Sequence, residues 1–364
     1  MTQIADIIII GGGIAGISAA ARLAPHAKIV VLEGEPHLAY HSTGRSAAIF
    51  IRNYGNATLR ALNGVSFSQL AGDMIGDNTL SQRGEMLLVR EQDHAHLETY
   101  MLGADGVDQL TPAEACAMVP ALKQDQFISA IYEADAQDID VDLLVQGCAR
   151  MARGAGAQIV TSAPVTALRR DAQTWQISTS NEIYEAPIVI NAAGAWADRI
   201  ADMAGVPQLG LQPMRRSAVM MGVPAGMDVR NWPLFGGIAE DWYAKPDGDR
   251  LMISPADADP VEPQDAWPDD MVLAEGLFRF EQMVDIPVIK PSHSWAGLRS
   301  FVPDHTPVCG FDSEHEGFFW LAGQGGYGVQ TSPALSRLTA DLVLQRESEL
   351  SGDVLAGLSP ARFR

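Results

Sequence analysis

The sequence predicts a two-domain α/β protein, in which a Rossmann-type dinucleotide-binding domain is joined to a second domain built mostly of antiparallel strands. Three observations predict this architecture. The length of 364 residues fits about two domains. A strand, glycine turn, helix and strand open the chain, and the middle of the chain is richer in tryptophan and reads as antiparallel strands. Hydrophobic residues make up 47% of the chain, which is enough for a sizeable core.

The opening unit begins with a buried strand from Ile7 to Ile10, a continuous β-branched run typical of a central parallel strand. The motif Gly11-x-Gly13-x-x-Gly16 follows at once, and helix formers continue to Leu23. In this motif the first glycine permits a tight turn. The second lets a pyrophosphate approach the helix N-terminus, and the third lets the helix pack closely on the strand.

The second strand runs from Lys28 to Glu33 and completes a βαβ unit of the expected size. Glu33 lies 20 residues after Gly13. A carboxylate at this place suits a pair of ribose hydroxyls and repels a 2′-phosphate, so we do not expect NADP. The unit alone leaves NAD and FAD open.

The segment "YHSTGRSAAIF" from Tyr40 to Phe50 favours FAD, whose ribityl chain and flavin extend further than NAD. It offers three hydroxyls and an open backbone, at Ser42, Thr43, Ser46 and Gly44. Arg45 has two interpretations. It supplies positive charge to the pyrophosphate neighbourhood or to an internal acid, or it only pairs with a surface carboxylate. The segment alone leaves both open.

Elements that belong with the cofactor domain recur later in the chain. Asp140 to Arg153 reads as a helix, capped by Asp140 and ended by Gly154. Short strands follow in "AQIVTSAPVTALRR", "TWQISTS" and "EAPIVINAAGAWA". The last strand leads onto Ala193 and Gly194, where small residues let the backbone approach a cofactor.

Near the C-terminus, "GFFWLAGQGGYGVQTSPALSRLTADLV" is again a strand, a glycine loop and a helix. Ser332 is expected to cap this helix and Pro333 to be its first residue. The loop from Gly323 to Gln330 would then lie at the positive end of the helix dipole, where it could stabilise the negative side of a reduced flavin. The alternative is a plain turn before a packing helix.

The middle of the chain, from Gln82 to Ala136 and from Gln208 to Ser300, reads as mostly antiparallel strands, with a hairpin at "DWYAKPDGDRLMIS". "GEMLLV" alternates, so Glu85, Leu87 and Val89 share one face, and an acid on this otherwise apolar face either caps the strand end or lines a pocket. Arg215 and Arg216 point to opposite faces, and at most one faces a site. Arg299 follows Gly297 at the return to the cofactor domain. Arginines in such places are either surface groups or, as a pair near the domain junction, an anion clamp.

Composition excludes several classes of function. The net charge of −20 argues against nucleic acid and against anionic lipid. Three cysteines without a C-x-x-C pair fit a reducing cytoplasm. The first residues, "MTQIADIIII", have neither the basic flank of a signal peptide nor the length of a membrane span. We also expect no metal site.

Taken together, these stretches resemble the D-amino-acid oxidase superfamily of FAD-dependent oxidoreductases nearly end to end. Within it, the sequence is most similar to bacterial D-arginine dehydrogenases. The resemblance rests on "GGGIAG", "HSTGRSAA", "GEM", "DID", "VINAAGAWAD", "GLQPMRRSA", "WYAKPDG", "SPADADPVE", "HSWAGLRSF" and "EGFFWLAGQGGYGVQTS". We expect a discontinuous FAD-binding domain of residues 1–81, 137–207 and 301–364, and a substrate-binding domain of residues 82–136 and 208–300.

The resemblance implies roles for individual residues. Arg216 and Arg299 correspond to arginines around a substrate carboxylate, and Tyr54 and Tyr243 to tyrosines that hydrogen-bond it. Gly326 corresponds to a backbone carbonyl near the amine, and Glu85 to an acid that faces a cationic side chain. Non-covalent FAD is expected along Gly11, Gly13, Ile14, Ala15, Gly16, Glu33, Ser42, Thr43, Gly44, Arg45, Ser46, Ala47, Ala48, Val165, Ala193, Gly194, Trp196, Arg299, Gly325, Gly326, Tyr327, Gly328, Val329 and Gln330.

The expected reaction is oxidative deamination of a basic or broad range of D-amino acids to 2-oxo acids, with a quinone, another carrier or O₂ as the electron acceptor. One position departs from the D-arginine dehydrogenases: Ile49 stands where they carry a histidine close to the flavin. The alternatives are a glycine-, sarcosine- or N-methylamine-type oxidase of the same fold, and a flavin-bearing subunit of an electron-transfer complex.

Overall fold

The computed structural model describes residues 2–171 and 173–364; Met1 and Ala172, which fall within the predicted domain ranges, lie outside the described residues. The helices of the described chain are α1 (Ile14–Leu23), α2 (Ala57–Ser68), α3 (His94–Met101), α4 (Pro112–Met118), α5 (Val141–Gly154), α6 (Ala197–Ala204), α7 (Asp270–Met283), α8 (Gly328–Val343) and α9 (Gly352–Leu358).

The strands of the same residues form four sheets. In chain order they are β1 (Thr2–Ile4), β2 (Ile7–Ile10), β3 (Ile29–Leu32), β4 (Ile49–Phe50), β5 (Leu80–Gln82), β6 (Glu85–Val89), β7 (Val107–Leu110), β8 (Ser129–Glu133), β9 (Gln137–Ile139), β10 (Gln158–Val160), β11 (Val165–Asp171), β12 (Thr174–Thr179), β13 (Ile183–Ala186), β14 (Ile188–Asn191), β15 (Gln212–Gly222), β16 (Leu234–Gly237), β17 (Tyr243–Asp247), β18 (Arg250–Ser254), β19 (Asp259–Pro260), β20 (His293–Phe301), β21 (Val308–Phe311) and β22 (Phe318–Ala322).

A six-stranded sheet with the order β10-β3-β2-β14-β22-β21 forms the first layer. Its strands run parallel except β21, which is antiparallel to β22. All four residues of β2 are buried, as a parallel strand covered on both faces requires. Helices α1, α5 and α8 cover one face with an apolar core. The predicted βαβ unit is therefore present, and the carboxyl ends of its strands open toward a ligand site.

The turn after β2 depends on its glycines. Gly11 has φ of +113°, and a Cβ there would collide with the carbonyl oxygen of Ala192 at the end of β14. A Cβ on Gly16 would collide with the carbonyl oxygen of Gly11, so α1 packs directly on the turn. The roles predicted for the first and third glycines of the motif therefore have direct steric causes.

A large sheet with the order β19-β15-β18-β17-β16-β6-β8-β7, and with β20 also paired to β15, forms the second layer. It is antiparallel except at β6 and β16, which run parallel. The predicted hairpin is present as β17 and β18, with Gly248 at φ of +62° in its turn. The predicted fold class, a Rossmann-type domain with a mostly antiparallel second layer, is confirmed.

The start of α8 differs from the prediction. The helix begins at Gly328, and Ser332 and Pro333 lie inside it rather than at its cap. Proline at position 333 has no N–H for the carbonyl of Val329, and the hydroxyl of Ser332 donates to that carbonyl at 2.9 Å instead. The serine thus replaces the hydrogen bond that the proline cannot make. The Ser-Pro pair, which resembles a helix start in the sequence, lies inside the helix.

The two remaining sheets are smaller. Strands β1, β13, β12 and β11 form a four-stranded sheet, and β4, β9 and β5 form a three-stranded one beside the large sheet. Across the described residues, every helix is too short or too polar to cross a lipid bilayer. The predicted domain boundaries stay a prediction.

Candidate active site

Two connected spaces lie where the two large sheets meet. The first, here called the channel, has a volume of about 140 Å³ and runs from Gly13 at the start of α1 to Gly326 before α8. The second, here called the cavity, measures about 1210 Å³ and lies over the face of the large sheet. Four residues line both spaces and mark the junction between them: Ala47, Arg216, Tyr243 and Arg299.

The lining of the channel fits an extended dinucleotide. Six glycines leave room for close approach: Gly13, Gly194, Gly297, Gly325, Gly326 and Gly328. None of the channel-lining residues that the structure describes carries a carboxylate that would repel phosphate. The N-terminus of α1 opens at one end, where backbone N–H groups favour an anion.

Glu33 follows β3 and lies beside the glycine turn. Its Oε2 accepts a hydrogen bond from the backbone N–H of Gly12 at 2.5 Å, and its Oε1 accepts one from Glu35. The carboxylate therefore fixes the turn through one oxygen while each oxygen keeps a lone pair for a ribose hydroxyl. Position and chemistry fit the predicted role.

The structure brings many of the predicted cofactor residues together along the channel. These are Gly13, Ile14, Ala15, Ser42, Thr43, Arg45, Ser46, Ala47, Gly194, Arg299, Gly325, Gly326, Gly328 and Val329. Gly11 and Gly16 support the turn from behind. The channel lining does not include seven further residues that were predicted to bind the cofactor: Gly44, Ala48, Val165, Ala193, Trp196, Tyr327 and Gln330.

Some of these outer residues have other partners. The side chain of Gln330 is buried and pairs with the backbone of Ile51 and with Asn63. The ring of Trp196 packs on His41 at 4.6 Å. Their assignment as cofactor-binding residues stays a prediction, and their side chains point to structural roles.

The three loop hydroxyls already hold neighbouring elements. Thr43 Oγ accepts from the N–H of Ile14 at 3.1 Å and so caps α1. Ser42 Oγ donates to the carbonyl of Leu298 on β20 at 2.6 Å. Ser46 Oγ accepts from the N–H of Ala48 at 3.0 Å. These bonds bind the loop to both layers, and they set the backbone that faces the channel.

Arg45 lines the channel, but its guanidinium binds groups that lie outside the channel lining. Its Nη2 forms an ion pair with Asp265 at 2.6 Å. Its Nη1 donates to the carbonyls of Ala266 and Ala296 at 3.1 Å and 3.0 Å. Of the two interpretations that the sequence left open, the geometry favours pairing with a carboxylate. The half-exposed Asp265 lies in a part of the sequence far from Arg45.

Arg216 and Arg299 stand on the same face of the paired strands β15 and β20. Arg216 lies opposite Gly297 and Arg299 opposite Met214, so the two arginines are diagonal neighbours. Arg216 Nε donates to the carbonyl of Asp257 at 2.7 Å, which leaves its other N–H groups for a ligand. Arg215 points the other way and pairs with Asp259 at 2.7 Å. The predicted separation of Arg215 from Arg216 is observed.

Their surroundings tune the two arginines differently. Enclosure by protein, and then the neighbouring Arg299, lower the pKa of Arg216. For Arg299, burial acts to lower the pKa, but Tyr54, Tyr243 and Glu240 act against it and the net direction is upward. Both side chains remain cations at neutral pH, and two adjacent positive charges favour an anionic ligand at the junction.

Tyrosines and a glycine complete this end of the site. Arg299 Nη1 donates to the hydroxyl of Tyr54 at 3.4 Å, and Tyr54 packs against Tyr327 with 4.7 Å between ring centroids. Burial raises the pKa of Tyr54, so its hydroxyl stays protonated. Gly326 lies against Arg299, and a Cβ there would come within 3.1 Å of the guanidinium carbon.

An acidic wall, defined here as Glu85, Glu133 and Tyr100, closes another side of the cavity, where Glu85 and Tyr100 are in the lining and Glu133 lies next to them. Glu85 lies directly opposite Glu133 in the register of β6 and β8, and both are buried. The Tyr100 hydroxyl lies 3.2 Å from Glu85 and 3.3 Å from Glu133. Burial, and then the carboxylate of Glu133, raise the pKa of Glu85 to about 8. Of the two predicted roles for Glu85, lining a pocket is the one observed.

Sequence reasoning missed two members of this site. Glu133 closes β8 and accepts from the N–H of Arg52 and from Asn53 at 2.7 Å each. Glu240 lies in the turn before β17, has φ of +52° and lines the cavity. The positive φ of a non-glycine residue marks a constrained turn. The stretch "GGIAEDW" could have indicated Glu240, because an acid that follows two glycines there is placed in a turn.

Ile49 lies in the cavity lining on β4, opposite Asp138 on β9. The side chain is half-buried and apolar, so this part of the cavity lacks the imidazole that the resemblance would place there. Any proton that a bound amine loses here is not taken by residue 49.

Comparison with known proteins gives a consistent result. The family profile described as "DAO: FAD dependent oxidoreductase" matches residues 6–342. Glycine oxidase of Geobacillus kaustophilus is 26% identical over 369 residues, covering 96% of this chain and 95% of the relative. The solved structure of glycine oxidase from Geobacillus kaustophilus is also similar to this chain, with a TM-score of 0.86, 24% identity and 99% coverage of both chains.

A longer relative also matches. Human mitochondrial dimethylglycine dehydrogenase is 25% identical over 393 residues, which cover 99% of this chain. The match covers only 44% of the relative, so this chain spans less than half of its length. These relatives fit the alternative of a glycine- or N-methylamine-type enzyme better than the expectation of a D-arginine dehydrogenase.

Proposed function

The chain belongs to the DAO family of FAD-dependent oxidoreductases, and on this premise we propose that it oxidises the C–N bond of an amino acid or N-methylated amino acid held by its carboxylate. FAD is the cofactor. The observation that carries the proposal is the position of Arg216 and Arg299, which line both the channel and the cavity. A carboxylate at this junction places the carbon next to it beside the end of the channel.

The residues of the junction act by binding and orientation. Arg299 and Arg216 offer charged N–H groups, and Tyr54 and Tyr243 offer hydroxyl donors toward the same anion. When bound, FAD would supply the two-electron acceptor for the hydride of the carbon attached to nitrogen. Loss of that hydride leaves an iminium ion, which releases its N–H proton where it has one, and water hydrolyses the iminium or imine to a carbonyl compound and ammonia or an amine. Fixing the carboxylate is a positioning effect, because it holds the reacting carbon in one place.

We assign no general base. Ile49 is apolar, and Glu85 has its pKa raised to about 8 and belongs to the wall of the cavity. An amine that reaches the site neutral needs no protein base. The comparisons support glycine, sarcosine or dimethylglycine as the substrate class, because the similar proteins include enzymes named glycine oxidase, sarcosine dehydrogenase and dimethylglycine dehydrogenase.

A second function is supported by the acidic wall. A substrate with a cationic side chain, such as D-arginine or D-lysine, would place its carboxylate at the arginines and its cation toward Glu85. The cavity of about 1210 Å³ has room for such a side chain, which glycine would leave unfilled. A small-amine enzyme has no use for the wall.

The deciding experiment is anaerobic mixing of the FAD-loaded protein with glycine, sarcosine, N,N-dimethylglycine, and the D- and L-forms of arginine, lysine and norleucine. Loss of the long-wavelength flavin absorbance reports oxidation. Bleaching by the small amines supports the first function, and bleaching by D-arginine or D-lysine supports the second. If photoreduction bleaches the flavin but no amine does, the protein is an electron-transfer subunit and both functions are rejected.

Glu85→Leu separates the two functions further. With a basic substrate the variant should lose most of its kcat/KM, because the cation faces an apolar side chain. With glycine or sarcosine it should change little. Peroxide production under air then shows whether O₂ is the acceptor.

A further inference from the structure

The segment of residues 255–269, here called the strap, joins β18 to α7 and crosses the edge of the large sheet. Its first half is held by the sheet: β19 pairs with β15, and Arg215 pairs with Asp259. Its second half has fewer anchors. Ala266 is buried against Ala296 and Leu298, Arg45 and Arg199 contact this half from outside, and Asp269 caps α7 at its end.

Arg45 connects the strap to the loop that lines the channel. Four of its five N–H groups are used, by Asp265, by the carbonyls of Ala266 and Ala296, and by the carbonyl of Tyr40 at 3.2 Å. The contacts therefore bring together the loop, the strap and β20. The loop is fixed on the other side by Trp295, whose Nε1 donates to the carbonyl of Arg45 at 3.2 Å.

The geometry of these bonds excludes a simple switch toward phosphate. One N–H group of the guanidinium remains free, and to bind an anion in the channel through more than that group Arg45 would have to release Asp265 or the carbonyls. The ion pair at 2.6 Å also cancels the charge that a pyrophosphate would need. Near Arg45, the loop backbone and the N-terminus of α1 are the groups left to bind phosphate.

We propose that Arg45 is a positioning residue for FAD. Its side chain connects the strap to the loop of residues 40–47 and so keeps the wall of the channel in place. Its positive charge is neutralised by the ion pair with Asp265. The proposal goes beyond the proposed function, because it concerns retention of the cofactor and holds for any substrate. Asp265 is then a partner in cofactor binding although it lies outside the channel lining.

Release of FAD from the loaded protein tests this proposal, followed through the rise of free-flavin fluorescence after dilution. Arg45→Ala should release FAD about 10- to 100-fold faster, since it loses several bonds to a charged group. Asp265→Asn should act in the same direction and release FAD several-fold faster. The double variant should be little worse than Arg45→Ala alone, because both substitutions remove one connection.

Asp265→Asn gives the sharpest contrast. If Arg45 bound the pyrophosphate directly, removal of Asp265 would free the cation and FAD would be held as tightly or more tightly. That result, or unchanged release in Arg45→Ala, overturns the proposal. Arg45→Lys adds a second contrast: it keeps the charge but cannot hold Ala266, Ala296 and Asp265 together, so we expect fast release. If Arg45→Lys released FAD as slowly as the wild type, the proposed role of the branched guanidinium would be rejected.

Glu262→Gln is the matched control on the same strap. Glu262 pairs with Arg199 at 3.4 Å, and both side chains are exposed, so its loss should leave FAD release unchanged. Amide hydrogen exchange provides a readout without catalysis. Residues 262–269 should exchange faster in Arg45→Lys and Asp265→Asn than in the control, and equal exchange would contradict the fastening role.

Discussion

Glu85 and Glu133 face each other across β6 and β8, and the hydroxyl of Tyr100 lies within hydrogen-bonding distance of both carboxylates. Glu133 is further held by Asn53 and by the N–H of Arg52. Two buried carboxylates this close disfavour double ionisation, so one proton belongs to the pair. The proton is best assigned to Glu85, which has fewer donors around it.

The pH dependence of stability should reveal this proton. Because the pKa of Glu85 is raised in the folded protein, the folded state binds the proton more tightly than the unfolded chain. Its stabilising contribution is complete below about pH 4.5 and is lost as the pH rises through about 8. Glu85→Gln should therefore flatten the decline of Tm between pH 5 and 9. Calorimetric scans across this range measure it; the exposed Glu91→Gln is the control, and parallel curves for Glu85→Gln and wild type would contradict the assignment.

Loss of Arg299 should weaken carboxylate binding. We expect Arg299→Ala to raise the dissociation constant of acetate or the KM of a substrate about 10- to 100-fold, because hydrogen bonds to a charged group are lost. Perturbation of the flavin spectrum reports acetate binding directly. Arg215→Ala is the control: it removes the same charge from the opposite face, and Ser217 keeps Asp257 in place. Equal losses in both variants would show a general charge effect instead of a clamp.

Gly326 should be sensitive to a single methyl group. A Cβ at this position would come within 3.1 Å of the Arg299 guanidinium, so Gly326→Ala should displace that side chain by a few tenths of an ångström. We expect acetate affinity to fall about 3- to 10-fold while the fold is retained. Gly154→Ala, where a Cβ meets no atom within 4 Å, is the matched control. Unchanged acetate binding in Gly326→Ala would show that Arg299 does not need its present position.

Ser332 should stabilise α8 beyond an ordinary serine. Ser332→Ala leaves the carbonyl of Val329 without its donor next to Pro333, which should cost about 1–3 kcal/mol. The Tm should fall by a few degrees. Ser336→Ala is the control, since the carbonyl of Pro333 that Ser336 contacts also faces the N–H one helical turn ahead. Thermal unfolding of both variants makes the comparison, and equal losses would remove the special role of Ser332.

The architecture was predictable because the apolar patterns of its strands are contained in short stretches of sequence. Continuous apolar runs such as Ile7 to Ile10 and the glycines around Gly11 mark a parallel strand and its turn, and alternation at Glu85 to Val89 marks a half-buried strand. The start of α8 was not predictable from propensity. Ser332 and Pro333 carry a helix-start signature, and only the contact with Val329 shows that the pair lies inside the helix.

At the site, residues whose partners are distant in sequence were the ones that could not be predicted. The direction of the Arg216 side chain follows from alternation on β15, and the family resemblance places Arg299 beside it. Asp265 as the partner of Arg45, and Glu133 as the partner of Glu85, depend on sheet register and loop placement that no local pattern contains. The interpretation of Arg45 therefore stayed open until its neighbours were known.

The parallel junction between β6 and β16 has a consequence for how the protein is made. Glu85 pairs with Leu234, so the edge of β6 stays open on the ribosome until the chain beyond β15 has emerged. Until then, β6, β8 and β7 form a three-stranded sheet with an unpaired and largely apolar edge, the kind of surface that recruits other chains. Pairing between segments so distant in sequence is also slow. The arginine pair on β15 and β20 thus joins the acidic wall late, and truncated or stalled chains should be the aggregating species during expression.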